Sequence, residues 1–522
     1  MPSVDSAMYS LAVAVIVTIW CVMIKIFFRK EKDLIVRPNN VIKKVEEVKN
    51  LSKDVAKDVE IKNVYYKDFN DENSNDKLTA EYRNALIFPI AFFTLSLIGY
   101  SYFQYWTITH KVINEFKPIF IIIGLVFFFQ LFCAIFARKK VEEDKKFINK
   151  FNPIVIIPVY NEDANGLKDT LKSILSQTIL PKEVHVVDDG SNVNYEHIKK
   201  WFIEKSKELE VVVSWSRHSK NKGKRAAQMT AFKNINPKLI DNAIVVTVDS
   251  DGVVDSKAIQ EGLIPFKDEN VYSVAGIIIS RYANKNLLTR IADWVFVTQE
   301  LIDRATMSVF GNVLVNSGAL AFYRYEVLKL AHDNFYTEEY FFNTKIEFSD
   351  DSYLTLIALQ LGKTVQQPSA IVFADMPVNV NHHLRQQLRW SRGSFIRSWW
   401  RLRYLNPLSF GWIRQLIGHV TFFCVIVIYL QLLVLKPIFT NIWWTLDIYI
   451  LFLLLSYVVG IKYFAIKRSD SSIANQLLTF LLSPLAVLWL MVVLRPLKVY
   501  SYITCAKSGW GTRKKVEIIH DK

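Results

Sequence analysis

The sequence predicts a mainly parallel α/β domain set between apolar, membrane-spanning helices. Two patterns lead to that fold class. Between residue 152 and about residue 375, short apolar runs alternate with amphipathic helical stretches, as in a parallel sheet with crossover helices. On both sides lie apolar runs long enough to cross a bilayer. Composition agrees: 522 residues that are 51% hydrophobic and 14% aromatic are unusually apolar for a soluble chain.

Residues 8–28 form the first apolar run. They lack a basic leader and a small-residue cleavage site, so they read as an anchor rather than a signal peptide. Residues 29–84 are mixed-charge and read as a solvated cytosolic linker, with room for a short helix over 41–61. Residues 85–106 and 118–137 are two further spans joined by a short loop, a transmembrane hairpin over 85–137. Arg138, Lys139 and Lys140 follow it and mark the cytoplasmic side.

The expected strands are 154–157, 184–187, 211–213, 244–248 and 274–279, with helices over intervals such as 166–177 and 222–232. The α/β domain is placed at 138–380. Residues 382–404 follow, with Leu384, Leu388, Phe395, Trp399 and Leu402 at helical spacing and six arginines between them. That pattern predicts an amphipathic helix in the headgroup plane, within an interfacial region at 381–408. Residues 410–435 and 443–460 read as two more spans. Residues 476–494 are apolar but carry Ser483-Pro484 and precede Arg495-Pro496, so a kinked or re-entrant segment is expected. The C-terminal membrane region thus covers 409–503, and 504–522 is a cytosolic tail.

The net charge of +15 falls largely beside apolar runs, as at Lys25, Arg29, Lys30 and Lys32, or Lys462, Lys467 and Arg468. Positive-inside topology accounts for it, and no nucleic-acid motif accompanies it, so no nucleic acid is expected as a partner. The lipid bilayer is. Four scattered cysteines (Cys21, Cys133, Cys424, Cys505) have neither metal-ligand nor disulfide spacing.

In an open α/β sheet, ligands bind beyond the carboxyl ends of the strands, and four polar clusters stand at such ends. Tyr160 and Glu162 follow the first strand; the ring can stack on a base and the carboxylate can bind a ribose, though an ordinary turn has the same composition. Asp188 follows the second and can accept from a uracil N–H. Asn221-Lys222-Gly223-Lys224-Arg225 opens a helix whose cations and backbone N–H groups can hold phosphate. Asp249 and Asp251 end the fourth strand as a hard-oxygen pair for Mg²⁺ or Mn²⁺, or as plain turn residues. There is no Gly-x-Gly-x-x-Gly, Walker loop or His-Glu-x-x-His. Together the four clusters describe a nucleoside-diphosphate site.

Two later motifs add chemistry. Asp350 and Asp351 precede a helix expected near Ser352; one can serve as a general base, or Asp350 can cap the helix. Gln386-x-x-Arg389-Trp390 offers a cation for a leaving diphosphate and a ring for a sugar, or a simple membrane-interface pair.

The order Val-Asp-Asp-Gly-Ser, Asn-Lys-Gly-Lys-Arg, Asp-Ser-Asp, Ser-Gly-Ala-Leu, Ser-Asp-Asp and Gln-Gln-Leu-Arg-Trp resembles the processive, membrane-embedded family-two glycosyltransferases. That group includes hyaluronan, chitin and cellulose synthases, and the streptococcal-type hyaluronan synthases are the most similar. The resemblance runs over about residues 85–517 and includes Leu482-Ser483-Pro484, residues 495–500 and residues 510–515. It implies a GT-A glycosyltransferase domain with a Rossmann-like mixed sheet, inserted between transmembrane helices with amphipathic interface helices.

The resemblance also implies roles. Tyr160, Asp188 and Lys224 correspond to uridine and phosphate contacts, with Glu162, Arg225 and Asp249 beside them. Asp251 corresponds to the metal contact. Asp351 corresponds to the general base and Asp350 to its support. Ser317 and Gly318 belong to the acceptor pocket; Gln386, Arg389 and Trp390 form the collar, Arg389 reaching the diphosphate. Trp510, Gly511, Thr512 and Arg513 resemble a gating segment over bound nucleotide, which requires a cytosolic tail and favours the kink at Pro484.

The expected activity is inverting β-transfer from UDP-GlcNAc and UDP-glucuronate, with one chain both polymerising and exporting the nascent polysaccharide from the plasma membrane, its catalytic domain cytosolic. Ala319, Ser349 and Ser352 depart from the usual hyaluronan synthase motifs. Gln-Gln-Leu-Arg-Trp resembles rhizobial chitooligosaccharide synthases. Together with Ser-Asp-Asp it also resembles a pneumococcal glucose–glucuronate capsule synthase. A chitin-like or glucose–glucuronate product is therefore the enzyme alternative. A nucleotide-sugar-sensing transporter is the non-enzyme alternative, and a dolichol-phosphate-type, non-processive transferase would not need the collar.

Overall fold

The computed structural model describes residues 78–83, 117–137, 139–141, 145–333, 336–341, 344–429 and 455–507, with a few isolated helical positions between 94 and 101. The expected anchor at 8–28, the linker as far as 77, most of 85–106, residues 443–454 and the gating residues Trp510, Gly511, Thr512 and Arg513 lie outside them.

Ahead of the α/β domain come a short strand β1 (Ala80–Tyr82) and helix α1 (Lys117–Phe136). The domain itself is one eight-stranded sheet. Its strands are β2 (Asn152–Val159), β3 (Glu183–Asp188), β4 (Val212–Arg217), β5 (Ala243–Val248), β6 (Gly252–Val254), β7 (Val271–Ser280), β8 (Leu320–Arg324) and β11 (Lys363–Ala374), and β9 (Tyr340–Phe341) and β10 (Thr344–Lys345) make a separate hairpin. The order is β4-β3-β2-β5-β8-β7-β11-β6. The first four run parallel, whereas β8 is antiparallel to both β5 and β7, and β6 is antiparallel to β11. The sheet is thus mixed, with its parallel half where nucleotide contacts are expected.

Strand periodicity splits the core. Val155, Ile157 and Val159 of β2 pack on one face with α2 (Ala164–Leu175) and α3 (Glu196–Glu208). Ile154 and Ile156 turn to the other face, against α4 (Lys224–Lys233). Helix α2 starts at Asp163, whose side chain accepts from the amides of Asn165 and Gly166, and it buries Leu167, Leu171 and Ile174. Each such side chain contributes about 1.5–3 kcal/mol of burial.

The remaining helices are α5 (Ala258–Leu263), α6 (Leu287–Gln299), α7 (Ala305–Val309), α8 (Tyr325–Asp333), α9 (Asp350–Leu361), α10 (Val380–Tyr404), α11 (Phe410–Tyr429), α12 (Ile473–Leu481), α13 (Ser483–Trp489) and α14 (Arg495–Ile503). A π-turn at Glu300–Arg304 joins α6 to α7. From it Asp303 accepts from Gln130 of α1 at 2.9 Å and pairs with Arg414 of α11 at 2.5 Å, holding two apolar helices to the domain.

Among the described residues, one continuous helix, Ser483–Ile503, is long and apolar enough to cross a membrane; Gly124–Phe136, Phe410–Ile426 and Leu455–Ala465 are shorter apolar helices. Leu125, Phe129, Phe132 and Phe136 of α1 are exposed, while Leu131 and Ala134 are buried. The break expected inside 476–494 falls at Leu482, between α12 and α13. Pro484 sits in the first turn of α13, where its missing N–H costs nothing. Pro496 is accommodated by a π-turn at Leu490–Leu494, so the helix runs on through it.

Two further differences concern charge. Arg397 and Arg401 of α10, expected at the headgroups, are buried and partnered inside the protein. The end of the expected linker is not solvated: β1 pairs antiparallel with β12 (Ile466–Arg468), and the amide of Ala80 donates to Asp255 at 3.0 Å. Arg468 in turn pairs with buried Asp293 of α6 at 2.9 Å.

Candidate active site

Because β2, β3 and β5 are parallel, their carboxyl ends share one edge, which brings Tyr160, Asp188 and Asp249 to the same side of the sheet. Antiparallel β8 adds its amino end there, with Leu320 opposite Val248, so Ser317 and Gly318 arrive beside Asp249. The loops are laced together. The amide of Asn161 donates to Ser191 at 2.9 Å, and Asn161 accepts from the amide of Asn192 at 2.8 Å. Buried Glu162 accepts from Ser250 at 2.9 Å, between the two aspartates of the β5 turn. It therefore holds that turn, in addition to any ribose contact.

Asp188 accepts from the amide of Ser191 at 2.8 Å and lies 3.3 Å from Arg217. Its neighbour Asp189 shapes the loop that opens α4. It meets His218 at 2.6 Å and accepts from the amides of Lys222 at 2.9 Å and Gly223 at 2.7 Å. Gly223 caps α4 at φ 92°, and Lys224 follows as the first helical residue.

Lys224 is the centre of charge. Its ammonium lies 2.6 Å from Asp249 Oδ1 and 3.3 Å from Asp350 Oδ2. Burial alone would lower its pKa, but the two carboxylates raise it, so it stays a cation. Burial pushes Asp249 above the ordinary carboxylate value despite Lys224. Asp350 is also buried, yet Lys224 and Arg225 hold it below the ordinary value. Gln228 adds a hydrogen bond to Asp350 Oδ2 at 3.2 Å. A Cβ on Gly318 would stand 2.9 Å from the Lys224 ammonium, so only glycine leaves the lysine its place.

Asp351 is shifted upward by burial and by the adjacent Asp350. Its Oδ1 accepts from the amide of Ser352 at 2.6 Å. A carboxylate raised in this way is a stronger proton acceptor at neutral pH. The helix cap is Ser349, not Asp350. Ser349 is left-handed (φ 62°, ψ 41°) with no side-chain cap bond, and both aspartates occupy the first turn, at the positive end of α9.

Helix α10 carries Gln386, Arg389 and Trp390 past this turn. Trp390 is 41% exposed and meets Phe296 of α6 edge-on, with ring centroids 5.4 Å apart. One turn on, Gly393 packs directly on Ser349: a Cβ there would come within 2.8 Å of the Ser349 Cβ. Helix α10 is thereby set against the residue before the aspartate pair. Gly393 was not legible in the sequence, since a lone helical glycine carries no partner information.

Arg225 is not placed as expected. Rather than facing phosphate, its guanidinium is buried and used by Glu339 at 2.8 Å and by the carbonyls of Tyr336 at 3.0 Å and Phe348 at 2.7 Å. Glu339 also receives a two-pronged pair from Arg397 at 2.8 and 2.9 Å. Glu339 likewise went unnoticed in the sequence, in a Thr-Glu-Glu-Tyr run that reads as surface.

Among the described residues, no group of three or more His, Cys, Asp or Glu forms a ready-made metal cage. A Mg²⁺ or Mn²⁺ ion carried by a diphosphate needs only one or two protein carboxylates. Asp251 and Asp249, hard oxygens at the strand end, fit that requirement.

The Glycosyl transferase family 2 model matches residues 154–330, and the Glycosyl transferase family group 2 model matches residues 244–460. The chain is 35% identical over 366 residues to a hyaluronan synthase of Streptococcus pyogenes, covering 70% of this chain and 83% of that one. It is 32% identical over 255 residues to an N-acetylglucosaminyltransferase of Bradyrhizobium diazoefficiens (48% and 50% covered). An N-acetylglucosaminyltransferase of Azorhizobium caulinodans is 28% identical over 368 residues (69% and 87% covered). Among solved structures, a Pyrobaculum calidifontis mannosyltransferase in complex with GDP-Man and Mn²⁺ matches with a TM-score of 0.44 and 16% identity, over 74% of this chain and 96% of that one.

Proposed function

The chain belongs to glycosyl transferase family 2 as a UDP-sugar glycosyltransferase of GT-A fold, and from that premise we propose that it is a processive, inverting polysaccharide synthase. The observation that carries the reading is the placing of the Asp350–Asp351 turn between Lys224 on one side and the Gly393 turn of α10 on the other. A donor diphosphate lies along the strand ends, its charge met by Lys224 and Arg389. The acceptor hydroxyl attacks the anomeric carbon from the face opposite the phosphate. The C–O bond to the diphosphate breaks and its electron pair leaves with UDP, while Asp351 takes the hydroxyl proton. Asp350 and Gln228 hold the turn. Asp251, with Asp249, would hold a divalent cation, which neutralises the diphosphate when bound. Trp390 supports the acceptor sugar beside Gln386, Ser317 and Gly318.

The leading product is hyaluronan, made from UDP-GlcNAc and UDP-glucuronate and exported through the protein's own apolar helices as a multi-pass plasma-membrane enzyme. The 35% identity to a hyaluronan synthase supports it. The rhizobial N-acetylglucosaminyltransferases support a second product, a chitin-like oligomer of N-acetylglucosamine. The test is UDP release and polymer formation with single and paired UDP-sugars, then digestion with a hyaluronan-specific lyase. Synthesis that needs both donors and a lyase-sensitive product is expected. Polymer from UDP-GlcNAc alone would overturn hyaluronan in favour of the second product.

A further inference from the structure

We infer that Glu339 is a positioning residue for glycosyl transfer, setting the donor lysine, the Asp350–Asp351 turn and the collar helix in one fixed relation. The inference rests on the proposed reaction. Glu339 lies outside every strand-end motif and touches no expected substrate position. Its carboxylate is buried between two buried guanidiniums, Arg225 at 2.8 Å and Arg397 at 2.8 Å. The tyrosine rings of Tyr336 and Tyr353 flank them, with Arg225 5.0 Å from the first centroid and Arg397 5.1 Å from the second.

Each end of this buried triad leads to a different part of the machinery. Arg225 directly follows Lys224 in α4, and it donates to the Phe348 carbonyl at 2.7 Å and the Ser349 carbonyl at 3.4 Å, just ahead of Asp350. Gln228, one turn further along α4, bonds both Asp350 at 3.2 Å and the Tyr336 hydroxyl at 2.7 Å. Arg397 stands one turn beyond Gly393, on the helix that carries Gln386, Arg389 and Trp390. A single carboxylate thus joins α4, the turn before α9, and α10. All three must keep register for a base and an acceptor to meet one donor carbon, and a misplacement of 1 Å can cost about 100-fold in rate. A buried Arg–Glu–Arg group is poor evidence for stability as such, since apolar residues of similar size often replace it without loss. Its value here lies in geometry.

The test uses the full-length protein in lipid nanodiscs. Glu339→Asp keeps the charge balance but draws the carboxylate back by one methylene. Expected is a kcat reduced by about 10- to 100-fold, with the KM for UDP-sugar and UDP binding within about twofold of wild type. An unchanged kcat would overturn the inference, as would parallel loss of UDP binding, which signals collapse of the domain. The combined variant Arg225→Met, Glu339→Leu, Arg397→Met removes every charge of the group. It is expected to bind UDP, with a melting point lowered because the Tyr336 and Phe348 carbonyls lose their donor, yet to transfer sugar at least 100-fold more slowly; wild-type turnover would again overturn the inference. A wild-type protein that releases no UDP from any donor would instead refute the proposed reaction.

Discussion

Gly393 and Ser349 touch where only a hydrogen fits: a Cβ on the glycine would meet the serine Cβ at 2.8 Å and its Oγ at 3.0 Å. Ser349 already sits at φ 62°, and the aspartate pair follows it. Gly393→Ala must therefore displace either α10 or the turn. The expected result is a loss of about 1–3 kcal/mol of stability from overpacking. A fall in turnover should come with it, while UDP affinity is kept. Thermal melting and UDP-release kinetics on the same preparation check it.

Asp351→Asn removes the proton acceptor without changing volume. Transfer should fall by about 10²–10⁴-fold, the usual range for a general base. Binding of UDP, measured by calorimetry, should persist. Polymer synthesis at wild-type rate would refute the base assignment.

With Asp351 as the proposed base, its raised pKa is expected to set the acid side of the pH profile. The base acts only when deprotonated, so kcat/KM should fall as pH drops through a value above the ordinary 3.8. Burial is the larger cause and Asp350 the next, so Asp350→Asn should move that limb to lower pH. For stability the sign is opposite. A carboxyl raised on folding favours the folded state at pH below its ordinary value, and that contribution is lost as pH rises through the raised pKa. A limb that moves up in Asp350→Asn would contradict the coupling.

Lys224→Met leaves Asp249 and Asp350 facing each other without their shared cation. Breaking a buried pair costs about 3 kcal/mol at the lower end of the range; the lower end applies because the Asp249 side chain keeps 33% exposure. Chemical denaturation should show that loss, and UDP affinity should fall with it.

Chelation should abolish sugar transfer, and Mn²⁺ or Mg²⁺ should restore it. Asp251→Ala should raise the metal concentration needed for half-restoration by about tenfold or more, the scale on which lost metal-site groups act. Titration of UDP release against free metal measures it.

Strand ends were legible because β-branched runs and the carboxylates that follow them are local in sequence. Lys224, Asp249 and Asp350 come together through the parallel order of β2, β3 and β5 and the reversal at β8, a strand not among those expected from the sequence. Glu339, Arg225 and Arg397 were not legible. Charges read locally look solvated, and the Arg225 to Phe348 bond spans 123 residues. The same limit misassigned the buried arginines of α10, whose helical spacing equally suits a lipid headgroup. The break in the apolar run 476–494 was legible from Ser483-Pro484: it falls at Leu482, and Pro484 sits in the first turn of the helix that follows.

The ladder between Ala80–Tyr82 and Ile466–Arg468 is bordered by a bond from the Thr79 amide to Ser469, 390 residues away. Closure over such a distance is thermodynamically mild, since each doubling of a loop adds only about 0.6 kcal/mol. The cost is one of timing. A chain emerging from the ribosome has made the whole catalytic sheet before β12 exists, so β1 must wait, unpaired, through all of it. The joint can close only in chains synthesised past Ser469, so every strand of the main sheet is made before it can form.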